Sequence, residues 1–208
     1  MKITRFPQSC LLVQKDGHSI VIDPGYHFLE SHSIDELKGV DAVLFTHQHR
    51  DHYDESIANE LKQAGKPIYC NDATSALVGE NCTTVHDAET FTISGFSITA
   101  RELPHMLLPD GAEGPQNTGY VIDGIVFHPG DGKDIDNLSI DTLALPITGP
   151  DISPKEAFDF AKKLQAKKVI PIHYDGLGAN AHYYKKYAEG CSMPFEMIVL
   201  GDGESVDI

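Results

Sequence analysis

The segment VLFTHQHRDHYDES, residues 43–56, ends an apolar run and then offers four potential metal ligands in quick succession: His47, His49, Asp51 and His52. Imidazole nitrogens and carboxylate oxygens are the donors that hold zinc, manganese and iron. Alternate residues of an extended chain project to the same side, so His47 and His49 at the end of a strand can share one cation. Asp51 and His52 fall in the turn toward the next helix, where the backbone can aim them away from the first pair. One cation does not need four ligands from one short segment. The spacing therefore predicts two adjacent divalent ions rather than a histidine-rich loop.

A hydrolytic zinc site usually takes three protein ligands and an open position for water. The missing ligands must come from elsewhere in the chain. His105 ends SITARELPH, Asp131 ends IVFHPGD with a carboxylate that can bridge two ions, and His173 ends KKVIPIHYD. Each follows an apolar strand where it gives way to a loop, as in a site built along one rim of a sheet. His128 should sit within a strand or its bend, in packing or supporting contacts. His86 reads as structural or exposed, and His18, His27 and His32 as surface residues. His182, in NAHYYKKY, follows His173 closely enough to line a pocket and touch substrate. The chemistry this ligand set predicts is two-metal hydrolysis, in which a shared water becomes acidic enough to attack an ester, lactone or phosphodiester. Asp131 would join the pair, and Asp51 would also orient the attacking water.

The elements that must position these residues are legible from periodicity and turn chemistry. KITRF, SCLLVQ and HSIVIDP read as three strands, with Asp16-Gly17 as a hairpin turn. DAVLFTH is a buried strand. After Asp54 a helix places Ile57, Ala58, Leu61 and Ala64 on one face, and Gly65 and Pro67 end it. KPIYC is a strand, and DATSALVG a short helix capped by Asp72. FTISGFSITARELP and TGYVIDGIVFHPGD each fold about a turn, at Gly95 and at Asp123-Gly124. IDTLALPI is a strand. SPKEAFDFAKKLQA begins with Ser153, Pro154 and Glu156 as a capping box. KKVIPIHYD is another strand, and EMIVLGDGESVDI supplies two more. Two packed sheets with helices outside would satisfy this pattern of two β-rich halves with interleaved helices, although periodicity does not give the order of the layers.

The 208 residues show no linker, low-complexity segment or shift in composition, so residues 1–208 are expected to form one domain. A net charge of −15 with dispersed basic residues argues against a nucleic-acid partner. AKKLQAKK is the densest basic cluster, at the spacing of a solvated helix face. No apolar run is long enough to span a membrane and the N-terminus lacks the pattern of a signal peptide. Four scattered cysteines suit a reducing cytoplasm. The expected partner is a small molecule, which an anionic group would suit only if the site mouth is locally basic. Arg50, Arg101, Lys133, Lys185 and Lys186 are the candidates for that. The loop from Met106 to Gly119 and the segment around His182 are expected to wall the pocket.

In order and spacing, these residues resemble the metallo-β-lactamase superfamily. His47-x-His49-x-Asp51-His52 is followed by His105, Asp131 and His173, and IDPG, ending in Gly25, is similar to the family's first motif. The resemblance covers essentially the whole chain. It implies an αββα sandwich of two mixed sheets with the site at one edge. It implies that His47, His49 and His105 hold a first metal, that Asp51, His52 and His173 hold a second, and that Asp131 bridges them. Asp23 would buttress the metal loop by hydrogen bonds without binding metal. VFHPGD, LPITGPDISPKEAFDFAKK and VIPIHYD look most like small bacterial metal-dependent hydrolases related to L-ascorbate-6-phosphate lactonase. Many of those relatives carry Gly-His-Ser or Gly-His-Ala near the N-terminus where this chain has Pro7-Gln8-Ser9. If that histidine handles substrate in the relatives, Gln8 cannot exchange a proton in its place, so the resemblance does not by itself carry lactonase activity over to this chain. Two ions per chain are implied, zinc first, with manganese or iron as alternatives. Competing classes are a di-iron oxidoreductase in the same cage and a non-catalytic binding protein, although the latter usually shows a broken ligand set.

Overall fold

Short β-hairpins and β-α-β units build the chain, and the computed structural model describes residues 1–176 and 178–208. The first sheet forms from β1 (Lys2–Arg5), β2 (Leu11–Lys15), β3 (His18–Ile22), β4 (Ala42–Leu44), β5 (Ile68–Cys70) and β6 (Cys82–Thr84). The second forms from β7 (Thr90–Ile93), β8 (Phe96–Glu102), β9 (Thr118–Ile122), β10 (Val126–His128), β11 (Thr142–Pro146), β12 (Lys168–Ile172) and β13 (Glu196–Met197). The last strand, β14 (Ser205–Asp207), returns to the first sheet beside β1. The spatial orders are β14-β1-β2-β3-β4-β5-β6 and β13-β12-β11-β10-β9-β8-β7. Between β2 and β3, Asp16 and Gly17 both take positive φ, 52° and 82°, as the expected two-residue hairpin turn requires.

The alternation of apolar residues along the strands packs the sheets face to face. Leu11, Val13, Ile20, Ile22, Ala42 and Leu44 of one sheet meet Phe96, Ile98, Tyr120, Ile122, Ala144 and Ile170 of the other. The opposite faces are covered by helices. Helix α1 (Glu55–Gln63) buries Ile57, Ala58 and Leu61 against Val43 and Phe45, and α2 (Asp72–Val78) adds Val78 to that cluster. Helix α3 (Pro154–Lys163) and helix α4 (Ala181–Gly190) cover Leu143, Leu145 and Val169 on the far side. The result is the expected αββα sandwich.

Local differences have identifiable causes. Ala64 is exposed because the helix has already reached its C-cap there. Asn71, not Asp72, caps α2: its backbone is extended and its side chain accepts from Thr74 N–H at 2.9 Å, leaving Asp72 in the first turn. Strand β6 and helix α4 were not apparent from sequence. Cys82–Thr84 is too short and half-buried to show alternation, and α4 carries charged and tyrosine residues around much of its circumference with only Ala181 and Ala188 buried.

His27 is buried rather than a surface residue, and His32 is half-buried at the surface. His27 is 8% exposed, with Nδ1 3.1 Å from Glu30 Oε1 and its ring 3.9 Å from that of Tyr26. His32 stacks on Phe28, meets Phe6 edge-on, and lies 3.0 Å from Glu36 Oε2 and 2.7 Å from Asp202 Oδ1. Burial works to lower the His32 pKa, but the bonds to Asp202 and Glu36 outweigh it and raise it above 6.5. A group raised on folding contributes stability that is full below its unfolded value and is lost as pH rises through its folded value. His32→Ala should therefore cost about 0.5–1 kcal/mol more near pH 5.5 than near pH 9, measured by urea unfolding.

Candidate metal centre

Strands β3, β4, β8, β10 and β12 carry the expected residues just past their C-terminal ends. Strands β3 and β4 run parallel. Strands β8 and β10 are both antiparallel to β9, and β10, β11 and β12 are parallel. Within each sheet these strands therefore point the same way, and the loops that leave them share one rim. The strand leading to the HxHxDH segment stops at Leu44 rather than running to the first histidine. His47 and His49 thus converge through the loop's own turns instead of through strand alternation.

His47, His49, His105 and Asp131 each offer a donor atom within 4.8 Å of the others, and Asp51, His52 and His173 do the same. Asp131 lies between the groups. Its Oδ2 is 3.4 Å from His105 Nε2, 3.9 Å from His47 Nε2 and 3.1 Å from His173 Nε2, while its Oδ1 is 3.0 Å from His52 Nε2. His173 Nε2 is also 3.2 Å from Asp51 Oδ2, and His47 Nε2 faces His49 Nδ1 at 3.1 Å.

A hydrogen bond on the far nitrogen turns each of four rings. His105 Nδ1 donates to the Met106 carbonyl at 2.5 Å, and His173 Nδ1 to the Thr148 carbonyl at 2.6 Å. Carbonyls only accept, so Nδ1 carries a proton, and in the neutral ring that ligates a cation Nε2 presents the lone pair. His52 Nδ1 meets the Asp23 carboxylate at 2.7 Å. The Thr46 hydroxyl donates to Asp23 Oδ2 at 2.6 Å, so it accepts from His47 Nδ1 at 3.0 Å. The fully buried Asp23 therefore orients two rings, one directly and one through Thr46.

Among the described residues, His52 Nε2, His105 Nε2, His173 Nε2 and Asp131 Oδ1 are buried without a hydrogen-bond partner. The three ring nitrogens approach the Asp131 carboxylate closely, but at angles that make no hydrogen bond. Each buried polar atom left so costs about 1–3 kcal/mol. Cations at the converging lone pairs would satisfy them, and the imidazole-carboxylate donor set suits zinc, manganese or iron. The residues present therefore fit a metal site.

Without cations, the acids and rings hold one another's charge. Burial works to raise Asp131, but the charges of His173 and His52 keep its carboxyl well below the usual range. Asp51 is lowered as well, with burial opposing and its contact with His173 leading the fall. Burial works to lower His173, yet the Asp131 charge and the contacts with both acids raise it to about 10. His47 is pushed down by burial and then by the charge of His52.

Two glycines let the loops approach this closely. A Cβ on Gly25 would overlap the Asp51 carbonyl and the His52 amide. Gly130 combines a φ of +60° with close approach to Asn117 and Thr46, one residue before Asp131. Gly25→Ala must push the Asp51–His52 turn outward. It should cost about 1–3 kcal/mol by overpacking and shrink the rise in Tm that added zinc gives the wild-type protein, read by paired thermal melts with and without metal.

Residues 2–173 match the sequence profile of a beta-lactamase superfamily domain, a span that ends on His173 itself. The chain belongs to the beta-lactamase superfamily. Relatives of this superfamily chain include a Mycobacterium tuberculosis protein that is 26% identical, covering 95% of this chain and 96% of that protein. A metal-dependent hydrolase of Thermococcus onnurineus is 30% identical over 81% of this chain and 82% of its own. Among solved structures, a metallo hydrolase from Ignicoccus hospitalis shares the fold, with a TM-score of 0.81, 22% identity, and coverage of 99% and 97% of the two chains.

In this member of the beta-lactamase superfamily, several supporting residues gave no sign in the sequence of the partners they hold. Asn117, 1% exposed, donates to the Pro129 carbonyl at 2.9 Å and accepts from Asp131 N–H at 3.2 Å, so it shapes the loop that presents Asp131. Asn71 donates to the Thr46 and Gln116 carbonyls at 2.9 and 3.0 Å, tying the two sheets together at the rim. Gln8 donates from Nε2 to Asp51 Oδ2 at 3.0 Å. His128 is satisfied on both nitrogens, by the Ser9 carbonyl and Gly130 N–H, and burial lowers its pKa. Its expected supporting role fits that placement. His86 and His18 are exposed. His182 sits in the first turn of α4 and lines a depression with Arg5, Tyr174 and Asp175, which none of the seven clustered side chains lines.

Proposed function

We propose that this chain is a hydrolase working with two divalent cations, zinc being the first candidate, on a small molecule that presents an ester, lactone or phosphodiester. His47, His49 and His105 would hold one cation, Asp51, His52 and His173 the other, and Asp131 would be shared. When bound, the ions would acidify a water and polarise the electrophilic oxygen of the substrate. Asp51, the most exposed of the two central carboxylates, is also the group able to accept a hydrogen bond from an attacking water. Asp23 and Thr46 hold the ring tautomers in the ligating form. The observation that carries the proposal is the convergence of buried, unpartnered donor atoms on both sides of Asp131.

The expected loop contributes a wall. Leu107, Glu113, Gly114, Pro115 and Gln116 line a depression that includes His105. Glu102 and Glu113 make that side acidic. Of the basic residues considered for the mouth, Arg101 reaches Asp87 and Lys133 pairs with Asp151 and Glu156. Arg50 pairs with no carboxylate among the described residues and lies over the Tyr26 ring at 5.5 Å. It is the cation we assign to drawing an anionic substrate, while the net charge of −15 supports a small molecule over nucleic acid. No described helix is long and apolar enough to cross a membrane. Cys10, Cys70, Cys82 and Cys191 are all free, which supports a cytoplasmic location.

Metal analysis after expression in supplemented medium, combined with a panel of lactones, phosphodiesters and thioesters, tests the proposal. Two transition-metal ions per chain and turnover of one class are expected. Fewer than one tightly held ion would overturn it in favour of a binding protein. Bound iron with oxygen consumption would overturn it in favour of an oxidoreductase.

A further inference from the structure

We infer that Gln8 is the positioning residue of the second half-site, fixing Asp51 through its side chain and His173 through its backbone. The inference rests on the two-cation proposal. Gln8 is 1% exposed, and every polar group it carries is engaged. Its Oε1 accepts from Gly176 N–H at 3.1 Å, which leaves Nε2 as the end that faces Asp51 Oδ2 at 3.0 Å. Its carbonyl accepts from His173 N–H at 2.9 Å, and its own N–H donates to Asp175 Oδ2 at 2.7 Å. One residue of the β1–β2 loop thereby grips both residues that flank His52 in the second group.

Backbone conformation points the same way. Gln8 has a φ of 62° and His173 a φ of 60°, both in the left-handed region that non-glycine residues adopt at a cost. Gln8 stands in the turn that joins β1 to β2, closed by Cys10 N–H on the Pro7 carbonyl, whereas His173 stands in no hairpin. The conformations persist because the interlocking bonds over-determine them, and the Gln8 carbonyl to His173 N–H bond joins the two directly. Contact with the first half-site is absent from the Gln8 bonds: none of its partners is His47, His49 or His105. Gly176 completes the support from behind, because a Cβ there would strike His27 Nε2 and approach Gln8 Oε1. The buried His27 fills the space that keeps this loop in place.

The chemical consequence is an asymmetric site. A primary amide donates to the carboxylate without ever carrying charge, so it orients Asp51 while leaving that oxygen's other lone pair for a cation. A hydrogen-bonding partner of a ligand typically contributes 10- to 100-fold to metal affinity. That increment falls on the second position alone.

Calorimetric and optical titration of metal-stripped protein with cobalt tests this. The wild-type protein should take two ions. Gln8→Met keeps the length and removes both hydrogen-bonding groups. It should bind the first ion within about threefold of wild type and the second about 10- to 100-fold more weakly, losing only the absorbance that grows with the second equivalent. Gln8→His returns a nitrogen donor and should recover the second ion. Two ions still bound tightly by Gln8→Met would overturn the inference. So would loss of both together, which would make Gln8 a support of the fold, and so would failure of Gln8→His to recover the second ion. A wild-type protein that takes fewer than two ions overturns the two-cation proposal instead, before any variant is read.

Discussion

Asp131→Ala should leave the protein folded, unable to retain either cation, and without hydrolytic activity. Among the described residues, Asp131 is the one carboxylate of the cluster with oxygens within 4 Å of ring nitrogens in both groups, those of His105 and His47 on one side and of His52 and His173 on the other. Its removal subtracts a ligand from each position at once. It also removes the acid whose charge most raises His173, so burial then pulls that ring toward its neutral form, while Asp51 still faces His173 and Asp23 still faces His52. Folding should therefore suffer much less than metal binding. A loss of about 4 kcal/mol in transition-state stabilisation corresponds to about a thousandfold in kcat/KM, and loss of both ions should exceed it. Elemental analysis, a zinc-dependent thermal shift and the substrate panel together give the answer. Activity within a few-fold of wild type would mean that the seven residues are not the working site.

Most elements of the sandwich were legible because their signals are local, whereas the order of the layers followed only from the resemblance to the superfamily. Asp16-Gly17 dictates a hairpin, Ser153-Pro154-Glu156 starts a helix, and uninterrupted apolar runs such as that of β11 mark strands buried on both faces. The convergence of the seven candidate ligands was legible for a different reason. Three sit singly where apolar strands end, and the HxHxDH spacing concentrates the other four in one loop. What stayed hidden are residues whose role exists only across the fold. Asn117 acts on Asp131, Asn71 on Thr46 and Gln8 on Asp51, over separations of 14, 25 and 43 residues. Polar amides in ordinary loop sequence do not reveal such partners. The same holds for His27, whose burial follows from Gly176 and Tyr26 packing against it rather than from any apolar pattern of its own.

Asp23→Asn should damage the site almost as severely while barely changing its shape. Asp23 is fully buried, accepts Thr46 N–H on Oδ1 at 2.7 Å, and receives the Thr46 hydroxyl and His52 Nδ1 on Oδ2. In the variant, Thr46 N–H still requires an acceptor, which pins the amide oxygen on that side. The amide nitrogen then faces the Thr46 hydroxyl and His52 Nδ1 as a donor. His52 must accept it, so the ring proton moves to Nε2, the atom aimed at the second cation position. Thr46 can accept from the amide as well as from His47, but its own hydroxyl proton loses the Asp23 acceptor. The His52 lone pair is thus compromised by exchanging one oxygen for one NH2. A wrong tautomer in a buried site of this kind costs about 10²- to 10⁴-fold in turnover, and loss of a supporting partner about 10- to 100-fold in metal affinity. Asp23→Ala differs in kind, because it leaves Thr46 N–H and His52 Nδ1 unpaired and should destabilise the fold by about 3–5 kcal/mol. Urea unfolding separates the two variants, and zinc titration of Asp23→Asn measures the tautomer effect by itself. If Asp23→Asn binds zinc within a few-fold of wild type, His52 is not held through Asp23 and its ring must reach the site by some other constraint.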